Sequence, residues 1–169
     1  MLIYEDIISG DELFSDAYPI TEREGIYEVD CAMIPVGGEN VDIGANPSAE
    51  GGDDEGADDN VQTVNNVIYS FRLSQTSFDK KSYMTYLKGY FKTLKSKLQD
   101  NGKTAEEIAD FEKKAQAAAK KIIGNFKDYE FYTGESMDVE GMVALLNYRE
   151  DGITPYFTFF KDGVKETKV

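Results

Sequence analysis

Residues 76–127 read TSFDKKSYMTYLKGYFKTLKSKLQDNGKTAEEIADFEKKAQAAAKKIIGNFK, and their apolar spacing predicts two helices folded back on each other. From Met84 the apolar residues fall at Leu87, Phe91, Leu94 and Leu98, steps of three and four that place them on one helix face. Thr104 followed by Glu107 reads as a capping box. The threonine hydroxyl accepts from a free amide at the helix start, and the glutamate reaches back to the threonine amide. Behind it Ile108, Phe111, Ala115, Ala118, Ile122 and Phe126 recur at helical spacing. Asp100-Asn101-Gly102 is a stop signal and a short connection, so the two helices are expected to run antiparallel.

The opposite face is basic, with Lys81, Lys88, Lys92 and Lys95 along one side of the first helix and Lys113, Lys114, Lys120 and Lys121 on the second. Between Arg72 and Lys127 there are 13 Lys and Arg against 6 Asp and Glu; the remainder holds 5 basic and 26 acidic residues. The total of −14 therefore conceals a basic hairpin on a strongly acidic body, two faces that attract different partners. Two readings of the lysines stay open at this point: a docking face, or the solvated side of amphipathic helices.

A chain of 169 residues fits one domain with a real core. No apolar run approaches the length that spans a bilayer, and Met1–Gly10 has acids where a signal peptide needs positive charge, so a soluble, intracellular protein is expected. The lone Cys31 cannot form an internal disulfide and lies in an apolar run, as a small buried residue would. There is no histidine, which excludes Ser-His-Asp and Cys-His catalysis, imidazole-based zinc sites and a histidine general base.

In chain order, Leu2-Ile3-Tyr4 is a short β run closed by Ser9-Gly10-Asp11-Glu12, and the stretch around Tyr18-Pro19 reads as irregular. Ile26–Val36 reads as one half-buried strand, with Tyr27, Val29, Cys31 and Met33 facing in and Glu28 and Asp30 facing out. Residues 37–60 interleave acids with glycines and hold no basic residue, which predicts a mobile acidic loop. Val61–Leu73 returns to strand composition, Tyr129–Thr133 is a further strand, and Met142–Tyr148 with Ile153–Phe160 form a hairpin about Asp151-Gly152. Pro155 argues for an edge position or a bulge in the last of these. The sum is a single α+β domain over residues 1–169: twisted antiparallel sheets, the acidic loop 37–60 and the basic helical hairpin 76–127.

Little else carries chemistry. Gly102-Lys103-Thr104 has the tail of a phosphate-binding loop, but Lys97 stands where its first glycine is needed. Proline in Asn46-Pro47-Ser48 rules out glycosylation. Asp53, Asp54, Glu55, Asp58 and Asp59 are hard oxygen donors of the kind calcium takes, without the spacing of a calcium loop. Weak calcium binding and a plain solvated acidic loop both fit them, and no obligatory cofactor is expected. The acidic body would repel a phosphate backbone, which argues against nucleic acid and for an acidic protein surface as partner of the hairpin.

Two long motifs then converge. Ile43-Gly44-Ala45-Asn46-Pro47-Ser48-Ala49-Glu50 resembles the first signature of the translationally controlled tumour protein (TCTP) family, in its fungal wording, and Phe131–Glu135 with Gly141–Leu146 resembles the second. Ser15-Asp16, Thr76-Ser77-Phe78, Asn147–Gly152 and Phe159–Gly163 support the match, which runs in register along the whole chain. The resemblance implies a β-tent body with a long helical hairpin, similar to the chaperones that hold Rab GTPases free of nucleotide. It implies a non-enzymatic, cytoplasmic and partly cytoskeleton-associated protein that binds tubulin, microtubules and calcium. It also implies links to growth, to the ribosome and to translation elongation factors, and a contested exchange role on a GTPase.

Family GTPase contacts match Glu12 and Glu135, each close behind a turn glycine. A carboxylate there can pair with the phosphate-loop lysine of an emptied GTPase. Tubulin contacts fall on the helical region, where Lys80, Lys81, Lys88, Lys92, Lys95 and Lys97 suit an acidic surface. Some animal members dimerise through a terminal cysteine; Val169 stands at the end here, so a monomer is expected.

Overall fold

The computed structural model describes residues 1–36 and 62–169; the first signature, the acidic loop and the calcium candidates Asp53, Asp54, Glu55, Asp58 and Asp59 lie outside the described residues. The fold is α+β, with antiparallel sheets and a long helical hairpin. Strands β1 (Leu2–Asp6), β2 (Glu12–Ser15) and β11 (Val164–Lys168) make one sheet in the order β11-β1-β2. Strands β3 (Ile20–Arg23), β4 (Ile26–Asp30), β7 (Ser74–Thr76), β8 (Glu130–Thr133), β9 (Ala144–Tyr148) and β10 (Pro155–Phe160) make a second, ordered β3-β4-β10-β9-β8-β7. A two-stranded ribbon pairs β5 (Met33–Val36) with β6 (Gln62–Asn65), and the helices are α1 (Asn66–Phe71), α2 (Lys80–Asp100) and α3 (Ala105–Gly124).

Both long helices start on reciprocal caps. Asp79 accepts from the Ser82 amide at 2.7 Å while Ser82 Oγ accepts from the Asp79 amide at 3.1 Å. At α3 the predicted pair forms: the Glu107 amide donates to Thr104 Oγ1 at 3.1 Å and the Thr104 amide to Glu107 Oε1 at 2.9 Å. Gly102 at φ +86° reverses the chain between them, a conformation that only glycine adopts without strain. Helix α2 buries Tyr83, Leu87, Tyr90, Leu94 and Leu98, and α3 buries Ile108, Phe111, Ala115 and Ile122. The α2 stripe starts one residue before the expected one: Met84 is 43% exposed, while Tyr83 packs on Phe131 (5.2 Å between ring centres) and Tyr90 on Tyr86 (5.6 Å). Tyrosine rings bring more apolar area than the methionine, so they take the inside. The sheets meet through Phe14, whose ring stacks on Tyr4 and on Phe159 at 4.4 Å each.

Three expectations about the strands are corrected. Ile26–Val36 is two strands, because the Cys31 amide donates to Pro155 O (2.9 Å) and the Ala32 amide to Asn66 Oδ1 (3.0 Å), which turns the chain out of one sheet and into the ribbon. Val61–Leu73 becomes half helix: Asn65 Oδ1 accepts from the amides of Val67 (2.9 Å) and Ile68 (3.1 Å), and this cap overrides the β-branched composition. Pro155 opens a central strand flanked by β4 and β9; as the first residue of β10 it removes no ladder bond that the sheet needs. Tyr18-Pro19 is irregular as expected, while Ile20–Arg23 and Val164–Lys168, which carry no strand signal of their own, are strands legible only through their partners β4 and β1.

Candidate functional site

The outer face of α2 is the first candidate surface. Lys81, Lys88, Lys92 and Lys95 follow one another at steps of seven, four and three, which aligns them as a ridge about 21 Å long. Lys80, Lys81, Lys88, Lys92 and Lys97 are exposed and form no ion pair among the described residues; Lys80 and Lys97 lie off the ridge by their helical positions. Lys95 is half-buried, its Nζ 3.6 Å from Glu112 Oε1 on α3. The two helices are unequal. Six lysines of α2 face a single acid, Asp100, whereas the four lysines of α3 are matched by Glu106, Glu107, Asp110 and Glu112, with Lys114 and Asp110 in contact at 3.0 Å. The positive field of the hairpin is thus the field of α2.

The second surface is a cleft of about 430 Å³ that brings together Glu12 and Glu135 with Glu5, Asp11 and Arg72. Glu12 opens the edge strand β2 and is exposed, without an ion pair among the described residues. Glu135 lies just past the end of β8 and is paired with Arg72, Nη1 to Oε2 at 3.2 Å, both side chains being largely exposed. Arg72 caps α1 at φ 55°, a left-handed conformation uncommon outside glycine. Asp11 fixes the turn beneath: its Oδ2 accepts from Ser136 Oγ (2.6 Å) and from the Ser136 amide (3.2 Å), and it packs so closely on Gly134 that a Cβ there would overlap it.

A third group is part-buried, around the buried Glu28. Arg149, at the end of β9, spans the central strand β10 to reach Glu28 (Nη1 to Oε1, 2.6 Å) and Asp30 (Nη2 to Oδ1, 2.7 Å) on β4. Its guanidinium lies 3.9 Å above the Tyr156 ring of β10, and Arg23 holds Glu28 from the other side at 3.0 Å. Glu28 was expected to face outward and is instead buried. Burial alone would push its carboxyl up, but Arg149 and Arg23 outweigh that and hold it below its ordinary value. This network is a clasp between strands; Arg23 also borders a cleft, with Glu22, Gly25, Asp110 and Lys161. Asp6, also buried, accepts from the Met142 amide (2.7 Å) and Ser9 Oγ (2.8 Å) and so pins the second signature to β1.

Cys31 is buried, and burial pushes its thiol up to about 11, the reverse of what a nucleophile requires. Among the described residues no group of three or more acidic or cysteine side chains is placed to hold a metal ion, and no helix is long and apolar enough to cross a membrane. Sequence reading missed Arg72, Asp6, Asp11 and Arg149. For Arg149 the signal was its place beside the Asp151-Gly152 turn; for the others, contacts made across the fold left none.

A family model described as translationally controlled tumour protein matches residues 1–165. Among curated proteins, the translationally-controlled tumor protein homologs of Neurospora crassa and Yarrowia lipolytica are 63% and 62% identical, each over 100% of both chains. Among solved structures, the translationally controlled tumor-associated protein p23fyp of Schizosaccharomyces pombe superposes with a TM-score of 0.83 at 58% identity, covering 100% of both chains. The Caenorhabditis elegans translationally-controlled tumor protein does so at 0.72 and 28%, over 100% of this chain and 99% of that one.

Proposed function

Because this chain belongs to the translationally controlled tumour protein family, a non-enzymatic one, we propose that it is an adaptor that docks its α2 lysine ridge on an acidic protein surface, with tubulin in microtubules as the partner. The observation that carries this reading is the ridge itself: ammonium groups in a line, of which Lys81, Lys88 and Lys92 are exposed and form no ion pair among the described residues, on a protein whose net charge is −14. Opposite charges on the two partners steer encounter and fix the docking face, and the attraction weakens as salt shortens the screening length. Pelleting with microtubules is expected to fall steeply between about 50 and 200 mM salt. Replacing Lys88, Lys92 and Lys95 together by Glu is expected to abolish it, and unchanged pelleting would sink the reading.

A second reading, regulation of a GTPase or a translation elongation factor, is favoured by the meeting of Glu12 and Glu135 on one cleft although 122 residues separate them in the chain. A carboxylate offered there to the phosphate-loop lysine of an emptied GTPase stabilises the nucleotide-free state. Nucleotide release from a partner GTPase is expected to accelerate on adding the protein. The acceleration should drop about tenfold with Glu135→Ala, the loss of one charge-assisted hydrogen bond. Equal release with and without the protein would remove this reading. Weak calcium binding by Asp53, Asp54, Glu55, Asp58 and Asp59 stands as a further proposal on composition alone.

A further inference from the structure

Beside the lysine ridge runs a groove of about 430 Å³. Ser82, Tyr86, Gly89 and Thr93, at steps of four, three and four, form its α2 wall; Phe78 and Tyr90 add aromatic surface, and Val139 and Glu140 form the facing wall. Lys81, Lys88 and Lys92 each precede a wall residue by one position, so the ridge is rotated about 100° from the groove along the same stretch of helix. The groove is built before any partner arrives. Tyr86 Oη donates to Gly141 O (2.7 Å) and accepts from the Val143 amide (3.0 Å), which fixes the 139–143 segment against α2. Gly89 is the unexplained feature. A Cβ at this mid-helix position would meet nothing within 4 Å, so packing does not require glycine, and alanine would favour the helix. What glycine does here is leave the groove open.

We propose that the groove and the ridge form one docking surface for an acidic amphipathic segment of a partner protein, its apolar anchors seated against Tyr86, Gly89 and Val139 and its carboxylates on Lys88 and Lys92. The occupant follows from charge: an apolar trough with lysines just beyond its α2 wall and Glu140 on the facing wall selects a segment whose acids lie on the α2 side of its apolar residues. This rests on the reading of α2 as the docking helix and adds to it an apolar part that can be tested by itself.

The probes are two fluorescent synthetic peptides of about ten residues: glutamates with two leucines on one helical face, and the same peptide with serine at both leucine positions. Anisotropy titrations are expected to show wild type preferring the leucine peptide about tenfold, the effect of burying roughly one such side chain. Gly89→Leu fills the groove and is expected to erase that preference while leaving the serine peptide's affinity within about twofold. Val139→Asp, on the opposite wall, should erase it as well, and a double Lys88→Glu, Lys92→Glu variant should weaken both peptides. Equal affinity of wild type for the two peptides, no binding of either, or a preference that survives Gly89→Leu and Val139→Asp would each overturn the proposal. The last outcome, with binding still sensitive to the lysines, would leave the electrostatic reading of α2 standing.

Discussion

Arg149→Ala is expected to lower folding stability by about 3 kcal/mol, the lower end of what breaking a buried ion pair costs. The lower end applies because the Arg149 side chain is 26% exposed and Arg23 remains beside Glu28. The cost arises on the other side of the pair: Glu28, with 6% of its side chain exposed, would keep its burial and lose the partner at 2.6 Å that offsets it. Asp30 would lose its partner too, and Tyr156 the cation above its ring. Since Tyr156 pairs in register with Asp30 on one side and Asn147 on the other, the clasp ties β4, β10 and β9 together. The sign of the pH dependence follows. Glu28 has its folded value below its ordinary 4.5, so the stability it supplies is complete above that value and drains away as the pH falls through the folded value. Urea denaturation should therefore show the deficit of Arg149→Ala in full at pH 7 and a narrowing gap below about pH 4.5. A variant within about 0.5 kcal/mol of wild type at pH 7 would show that the clasp is ornamental.

Leu94→Ala is expected to cost about 3–4 kcal/mol, and Met84→Ala less than about 0.5 kcal/mol. Both are large apolar residues on α2, yet Leu94 is 0% exposed and Met84 43%. The contrast reports the register of the helix. If Tyr83, Leu87, Tyr90, Leu94 and Leu98 define the buried stripe, Lys81, Lys88 and Lys92 point to water; were Met84 the costly position, the ridge would turn toward the body. Denaturant midpoints with unchanged slopes are the measurement, and equal losses at the two positions would contradict the assignment.

Much of this was legible in the chain. The helical hairpin, its stop at Asn101-Gly102 and the Thr104–Glu107 cap are local signals, decided within a few residues. The acid count of α3 against α2 was equally present in the sequence, although a total over the hairpin hides it. Contacts across the fold were not legible. β11 is a mostly polar run whose identity as a strand lies in its pairing with β1, and Glu28 sits inside because Arg149, distant in sequence, joins Arg23 in pairing with it. Composition likewise misread Asn65–Phe71, where one capping side chain outweighs the β-branched residues that follow. Glu12 and Glu135 come from the family resemblance, but their convergence on a single cleft with Arg72 depends on the turn that Asp11 fixes, and that turn is tertiary.

The central claim is that α2, and not the hairpin as a whole, meets the partner. Two triple variants test it most directly: Lys88, Lys92 and Lys95 to Glu on α2, and Lys113, Lys120 and Lys121 to Glu on α3. Both change the net charge by the same amount, and the Lys95–Glu112 contact is the one ion pair among the described residues that either removes, so a difference between them reads position. In microtubule co-sedimentation at low salt, the α2 triple is expected to stay in the supernatant and the α3 triple to pellet nearly as wild type does. Equal loss in the two would mean that only total charge matters, and binding by the α2 triple would contradict the account.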